Sequence, residues 1–434
     1  QTGFGRTGTV DWQTGSIKTG TFTAVSGEGY FVNTSGGVST VNLPAGVAGA
    51  IVGLKDYAGT FGSNAVTLNP NGSDKIGGGS AVDPTLTTNG ESILLVFVDA
   101  TQGWLTTQQS VTETPSGAVT FICAAVSGSC NVIVTSGDFK TAIFKGPGNF
   151  TVNSLATSAP NNNVDYLVSA GGGGGGQYGG GGGGAGGFRL ANSLALPAPS
   201  MSPLASGTGT PVSIQSYTIS VGGGGGINPF PGPARGNDGS VSTFSTITST
   251  GGGGGHGGTN AVGYAGGSGG GGRGGPTPTS GHAGGAGNTP PVSPSQGEAG
   301  GSGYDGLTSS TNGGGGGGAG AVGTNAGPAQ GGNGGIGSFI SDAFIGPTAP
   351  SYGTSGPVGS TRYFSGGGGG GSDFNPSPVN PGGAGGGGNG GGGPASGSAA
   401  TVNTGGGGGA GGGAVPTTSF AGGSGIVIIR YRYQ

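Results

Sequence analysis

The stretch VDYLVSAGGGGGG, residues 164–176, passes from a strand pattern to bare backbone within two residues. Val164 to Ser169 have the β-branched and aromatic character of a buried strand. Gly171 to Gly176 carry no side chain at all. The stretch GGSGIVIIRY, residues 422–431, makes the same passage in reverse. Between them lie further glycine runs at 179–184, 222–226, 251–255, 313–318, 366–371, 385–388 and 405–409. A tract that leaves one strand and ends on another is framed as a folded domain is framed.

Three physical forms compete for such a tract. Glycine-rich linkers are flexible coils, but aromatic residues recur between these runs and the tract is too long for a linker. Collagen needs glycine at every third position without a break, and here the glycines are contiguous. The third form is a packed bundle of polyglycine helices. Glycine adopts the extended threefold helix at little steric cost. That helix rises about 3.1 Å per residue and makes no internal hydrogen bonds. Its N–H and C=O groups point outward and must find partners on parallel or antiparallel neighbours. A six-residue run spans about 19 Å at that rise, so runs of five or six suit stacked rods of one thickness. Each glycine loses about 0.5–1 kcal/mol more backbone entropy than alanine. Net hydrogen bonds of about 1 kcal/mol each offset this only if nearly all form. The domain is therefore expected to order cooperatively.

Composition separates this tract from what precedes it. Of 120 glycines in 434 residues, 25 precede residue 171 and 95 follow. All lysines lie in the first part, with ten of the fifteen acids. Charged residues make up 6% and the net charge is −3, which leaves no electrostatic footprint for nucleic acid or an anionic membrane. No apolar run approaches the ~20 residues of a membrane span. The numbering opens at Gln1 and the single methionine is Met201, so the sequence is expected to start inside a longer product or after a processing site.

The expected fold is an all-β, sandwich- or jelly-roll-like domain at 16–108, preceded by a connector at 1–15, and then a polyglycine II bundle framed by strands at 131–434, with essentially no α-helix. In the first domain, β-rich runs such as Val38–Leu43, Ala50–Leu54 and Ser92–Asp99 alternate with Gly/Asn turns. Residues 109–130 read as a junction. It holds the only cysteines, Cys123 and Cys130, on what reads as two strands around a Ser127-Gly128-Ser129 turn. A hairpin disulfide, a transient thiol pair and two buried thiols stand as alternatives; no second pair or nearby histidine points to zinc.

The chemistry sits between the runs. Loops on a rigid scaffold are the usual seat of recognition, and aromatic residues with arginine suit a binding surface. Phe230, Tyr264, Arg273, His282, Tyr304, Tyr352 and Phe374 are the candidate receptor-binding residues, each weighed against a purely structural capping role. Phe339, Ile340, Phe344 and Ile345 read instead as a packing cluster. His256 and His282 are expected as exposed loop histidines. No metal, cofactor or catalytic site is expected. GxGxxG recurs only because glycine is abundant, no P-loop lysine is present, and one Gly-Gly-Arg273-Gly-Gly is too little positive charge for an RNA box. The acids Asp238, Glu298, Asp305, Asp342 and Asp373 stand apart in sequence, without the paired-carboxylate pattern of a glycosidase.

The two framing stretches, VDYLVSAGGGGGG and GGSGIVIIRY, resemble the glycine-rich domains of bacteriophage tail-fibre proteins. Residues 21–79 and GWLTTQ at 103–108 are similar to a β domain of tail fibres from phages of aquatic bacteria. The resemblance implies a virion-borne, extracellular adhesin that binds a host outer-surface protein or glycan through loops between polyglycine helices. It also implies other tail-fibre proteins as partners, and a homotrimer. In the familiar adhesins the glycine domain is a separate chain, whereas here it follows a fibre-like domain in one polypeptide. A decoration or head-fibre protein, a cellular extracellular filament protein and a glycan hydrolase are the alternatives.

Overall fold

The computed structural model describes residues 10–79, 84–109, 120–196, 200–227, 235–257, 262–275, 282–305, 311–373, 379–393, 397–413 and 419–434. They fall into two compact units, Gln1–Val119 and Thr120–Gln434.

In the first unit, short strands alternate between two sheets. β1 (Asp11–Trp12), β3 (Glu28–Val32) and β5 (Ile51–Asp56) run parallel in one sheet, while β2 (Thr21–Thr23), β4 (Ser39–Asn42) and β6 (Val66–Asn69) run parallel in the other. The chain thus winds as a coil that gives one strand to each sheet per turn. β7 (Thr85–Leu86), β8 (Ser92–Asp99) and β9 (Gly103–Gln109) then pair antiparallel, giving sheet orders β1-β3-β5-β8-β9 and β2-β4-β6-β7. Alternation sets the core: Val41, Val66 and Leu68 from one sheet meet Val52, Leu54, Ile93, Leu95 and Trp104 from the other, all buried. Within the expected connector, the described residues 10–15 are part of the fold, since Val10 is buried and β1 extends a sheet.

The second unit has a β base. Its larger sheet contains β11 (Val132–Ser136), β12 (Phe139–Phe144), β14 (Asn163–Ser169), β15 (Phe188–Ala191), β16 (Ala205–Ser206) and β25 (Ile426–Arg432), with β17 (Thr210–Pro211) also paired to β14. β25 lies between β12 and β14, antiparallel to both, so Ile428 faces Ile143 on one side and Leu167 on the other. A second sheet joins β10 (Cys123–Val126), β13 (Gly148–Ser154), β18 (Ser216–Ser220), β19 (Ser242–Phe244) and β20 (Ile247–Ser249). On one face of the larger sheet, Val427, Ile429 and Tyr431 pack with Phe150, Val152, Ile219 and Phe244 of the second sheet. On the opposite face, Ile426 and Ile428 pack with Ile340, Phe344, Ile345 and Phe364. Burial on both faces is why 426–429 reads as an unbroken apolar run and not an alternating one.

β10 and β11 do flank the 127–129 turn, but they pair with different strands, β13 and β12, in different sheets. The hairpin disulfide is therefore absent: Cys123 and Cys130 are free, exposed thiols. From Thr120 onward the expected junction belongs to the second unit.

The glycine runs are rods with a three-residue hydrogen-bond period. Gly171 and Gly174 donate their N–H groups to Ser240 and Asn237, Gly172 and Gly175 to Gly423 and Phe420, and Gly173 and Gly176 to Gly184 and Gly181, all at 2.8–3.0 Å. The carbonyls of Gly171 and Gly174 accept from Gly252 and Gly255, those of Gly173 and Gly176 from Gly408 and Gly411, and that of Gly172 from Gly225. Residues three apart address one neighbour, as a threefold extended helix requires. One rod thus has six neighbours, some parallel and some antiparallel. The run from Gly181 is likewise surrounded: Gly181, Gly184 and Gly187 donate to His256, Gly253 and Thr250, while Gly182 and Ala185 donate to Gly314 and Gly317.

Close approach makes glycine necessary here. A Cβ on Gly171 would stand 2.0 Å from the Gly223 carbonyl oxygen, and one on Gly182 would stand 2.1 Å from that of Gly368. Neither glycine has its φ in the left-handed region, so contact and not backbone conformation excludes a side chain.

The pairing also fixes two levels. Ala170, Gly187 and Thr250 are bonded together beside the sheets. Gly176, Gly181, Gly411 and His256 are bonded together at the opposite, distal end, where Gly180, Gly371 and Gly313 also meet. Rods alternate between these levels, so successive connections alternate between base and tip. At the base, β23 (Ser338–Ser341), α1 (Asp342–Ile345) and β24 (Thr361–Phe364) form one connection; at the tip lie β21 (Tyr304–Asp305) and β22 (Thr311–Asn312). No helix among the described residues is long and apolar enough to cross a membrane.

Candidate functional site

The distal end gathers side chains that the lattice itself cannot accommodate. The run 251–255 ends at this level on His256, and the rod that returns beside it begins at Tyr264, whose N–H donates to the Gly254 carbonyl at 3.2 Å. The His256 and Tyr264 rings stack with centroids 5.7 Å apart and an interplanar angle of 7°. The Arg235 guanidinium lies over the Tyr264 ring at 3.5 Å, within the ~6 Å reach of a cation–π contact. Asp238 holds that guanidinium with a 2.9 Å ion pair and also accepts the Gly254 N–H at 2.8 Å. The tyrosine ring thus contacts both an arginine and an imidazole, and Asp238 ties the arginine to the Gly254 rod.

A second group stands at the same level. Arg273 donates to the Gly257 carbonyl at 2.6 Å and to the Thr311 hydroxyl at 3.0 Å. Thr311 donates its hydroxyl and its N–H to Asp373. Burial, then the positive charges of Arg235 and Arg273, hold the His256 imidazole below its ordinary value of 6.5, so it is neutral at pH 7.

Of the seven residues expected to form a recognition surface, Tyr264, Arg273, His282 and Tyr304 reach the distal level. Tyr264, Arg273 and Tyr304 are half-buried there. His282 is instead 5% exposed, and its carbonyl accepts the Gly303 N–H at 2.9 Å. It packs within the lattice because its own backbone is one strut of a rod, which corrects the expectation of an exposed loop histidine. His256 is half-buried in its stack, which corrects the same expectation there. Tyr352 is not at the tip: it packs against the base cluster, and its carbonyl accepts Arg362 Nε at 2.6 Å. Burial raises its phenol above the ordinary 10.0. Phe230 and Phe374 lie outside the described residues.

Arg235, Asp238 and His256 escaped selection from sequence. A usable signal existed. If rods alternate in direction and each holds about six residues, the first non-glycine residue after 251–255 falls at the tip, though rod adjacency is still needed to give its partner. Among the described residues no group of three or more His, Cys, Asp or Glu is placed to hold a metal.

These features define a class: an all-β protein whose second unit is a hexagonally bonded bundle of glycine rods, closed by sheets at one end and bearing mixed side chains at the other. Residues 146–432 match the family described as glycine-rich domain, and the chain belongs to that family. No curated protein matches it.

Proposed function

We propose that this chain is a bacteriophage tail-fibre adhesin, carried on the virion, whose distal rod ends bind a host outer-surface protein or glycan. The observation that carries the reading is the sorting of residues between the two ends of the bundle. The base is closed by two sheets and apolar clusters, while the opposite end presents Arg235, Tyr264, His256 and Arg273. Recognition surfaces favour aromatic and arginine anchors on a rigid support. The resemblance of the framing stretches to tail-fibre glycine domains supports the same reading, and with it a homotrimer and other fibre proteins as partners.

Binding without catalysis is the proposed mode. Among the described residues of the tip, Asp238 is engaged with Arg235 and Asp373 with Thr311, and no paired acid and base flank an open site. Adsorption of the virus to its host in the presence of purified protein tests the reading. Saturating protein is expected to bind cells and block adsorption. A Tyr264→Ala, Arg235→Ala double variant is expected to lose both effects while keeping its unfolding midpoint. If wild-type protein neither binds cells nor blocks adsorption, the adhesin reading is wrong and a decoration role takes its place.

A further inference from the structure

The first unit carries an aromatic cleft that the adhesin reading does not use. Three strands present their outward residues there. In the β1–β3–β5 register, Trp12 partners Gly29, and Phe31 partners Lys55. Glycines at 29 and 53 leave room for the Trp12 indole to lie over the sheet: a Cβ on Gly29 would be 2.7 Å from Trp12 Cδ2. The indole meets Phe31 at 5.1 Å between centroids. Beside this pair, Thr14, Ile17, Phe31, Lys55, Asp56 and Tyr57 line a cleft of about 360 Å³, inside the ~300–1,000 Å³ range of small-ligand sites. Trp12 remains 37% exposed and Tyr57 57% exposed. Large aromatic rings left open to water beside a cleft mark a contact surface.

The cleft is rigid. The Asp56 carboxylate accepts N–H groups from Gly59, Thr60, Phe61 and Gly90 at 2.8–3.2 Å. Burial pushes its carboxyl up, but those four bonds outweigh burial and hold it below its ordinary 3.8. The Tyr57 N–H is fixed by the Val32 carbonyl at 3.0 Å. Asp56 is therefore consumed in holding the wall and offers nothing to a ligand. Lys55 Nζ is different. It donates to the Gly90 carbonyl, and an ammonium has three donors, so two remain for a ligand.

We infer that this cleft binds an acidic saccharide, a pyranose ring carrying a carboxylate. The ring's apolar C–H face suits Phe31 and Tyr57, its hydroxyl rim suits the Thr14 and Tyr57 hydroxyls, and its carboxylate suits Lys55. A peptide docking by strand addition would lie along the edge strand β1, not over the outward faces of Phe31 and Lys55, which stand on the interior strands β3 and β5. A polynucleotide needs several cations, and the cleft has one.

Calorimetric titration of the full chain with trigalacturonate, and separately with neutral maltotriose, tests the assignment. Saturable trigalacturonate binding is expected, at least tenfold tighter than maltotriose. Tyr57→Ala and Lys55→Gln are each expected to weaken it about tenfold. Tyr57→Ala should leave the tryptophan-monitored unfolding midpoint unchanged, because the ring is mostly exposed; Lys55→Gln provides an independent readout if that variant proves unstable. Arg235→Ala at the tip is expected to leave this binding intact. Absence of saturable trigalacturonate binding would overturn the site. So would wild-type affinity in both Tyr57→Ala and Lys55→Gln, or loss of binding in Arg235→Ala. Equal affinity for maltotriose would overturn the acidic assignment.

Discussion

Two alanine substitutions in glycine rods, Gly182→Ala and Gly223→Ala, isolate what holds the bundle together. Both sites lack left-handed φ, so alanine suits either backbone. At Gly182 the new Cβ meets the Gly368 carbonyl oxygen at 2.1 Å, whereas at Gly223 nothing lies within 4 Å. Relief at 182 requires the Gly368 rod to move by more than 1 Å, since ordinary contact begins at 3.4 Å. Overpacking of this kind costs about 1–3 kcal/mol. The displaced rod also strains the bonds Gly368 N–H to Gly183 and Gly316 N–H to Gly368, both 2.8 Å, at about 1 kcal/mol each. Loss of unfolded-state freedom returns about 0.4–1 kcal/mol. Gly182→Ala is therefore expected to destabilise the second unit by about 2–4 kcal/mol, and Gly223→Ala to stabilise it by about 0.4–1 kcal/mol. Both tryptophans, Trp12 and Trp104, belong to the first unit. Their emission during urea unfolding is thus an internal control for the first unit. Hydrogen exchange across 171–187 reads the rods directly. If the two variants unfold within about 0.5 kcal/mol of each other, close rod packing is not the source of stability.

Three further outcomes follow from other parts of the molecule. Asp165→Asn, which leaves the buried Arg430 without its carboxylate partner at 3.9 Å, is expected to cost about 3–5 kcal/mol in urea unfolding; a cost below 1 kcal/mol would mean the pair is dispensable. His256 has its imidazole held below 6.5 in the fold. The unfolded chain therefore takes up a proton first, and stability should fall as pH drops through 6.5 toward the lower folded value. His256→Asn should flatten that slope between pH 7 and 5, and an unchanged slope would contradict the stacked, neutral imidazole. Cys123 and Cys130 are free and exposed, so a thiol reagent should label two sites per native chain, against none for a disulfide.

The rods were legible because contiguous glycine leaves backbone pairing as the only cohesion, and because Val164–Ser169 and Ile426–Tyr433 announce the frame. β14 and β25 indeed occupy those positions, next to each other in one sheet. The winding of the first unit was not legible. Strands such as Val38–Leu43 and Ala50–Leu54 read correctly as strands, but alternation within a strand says nothing about which sheet it joins. The parallel coil is decided by long-range register, Gly29 against Gly53 and Ser39 against Val66. Local pattern failed likewise at Cys123 and Cys130: the turn between them exists, yet its two arms are drawn into different sheets by β13 and β12. At the tip, Tyr264 and Arg273 could be picked as unusual residues in a glycine background. Arg235 and His256 could not be joined to Tyr264 without knowing which rods run side by side. Tyr352 was misplaced because its connection returns to the base, a matter of rod direction and not of residue type.

The place of β25 has a consequence for biosynthesis. Its partners, β12 and β14, emerge from the ribosome early, and Ser169 pairs with Ile426. The rods that grow from this sheet also interlock across the same span, with Gly172 bonded to Gly423. The larger sheet therefore lacks its central strand until residue 432 has been translated, and the nascent glycine tract must wait in solution, protected by its own poor hydrophobicity. Closure is then a single late event that draws distant segments together, with the slow kinetics expected of such non-local pairing. A chain that stops short of Ile426 would leave the facing edges of β12 and β14 without their ladder partner, the kind of open strand edge that invites wrong pairing.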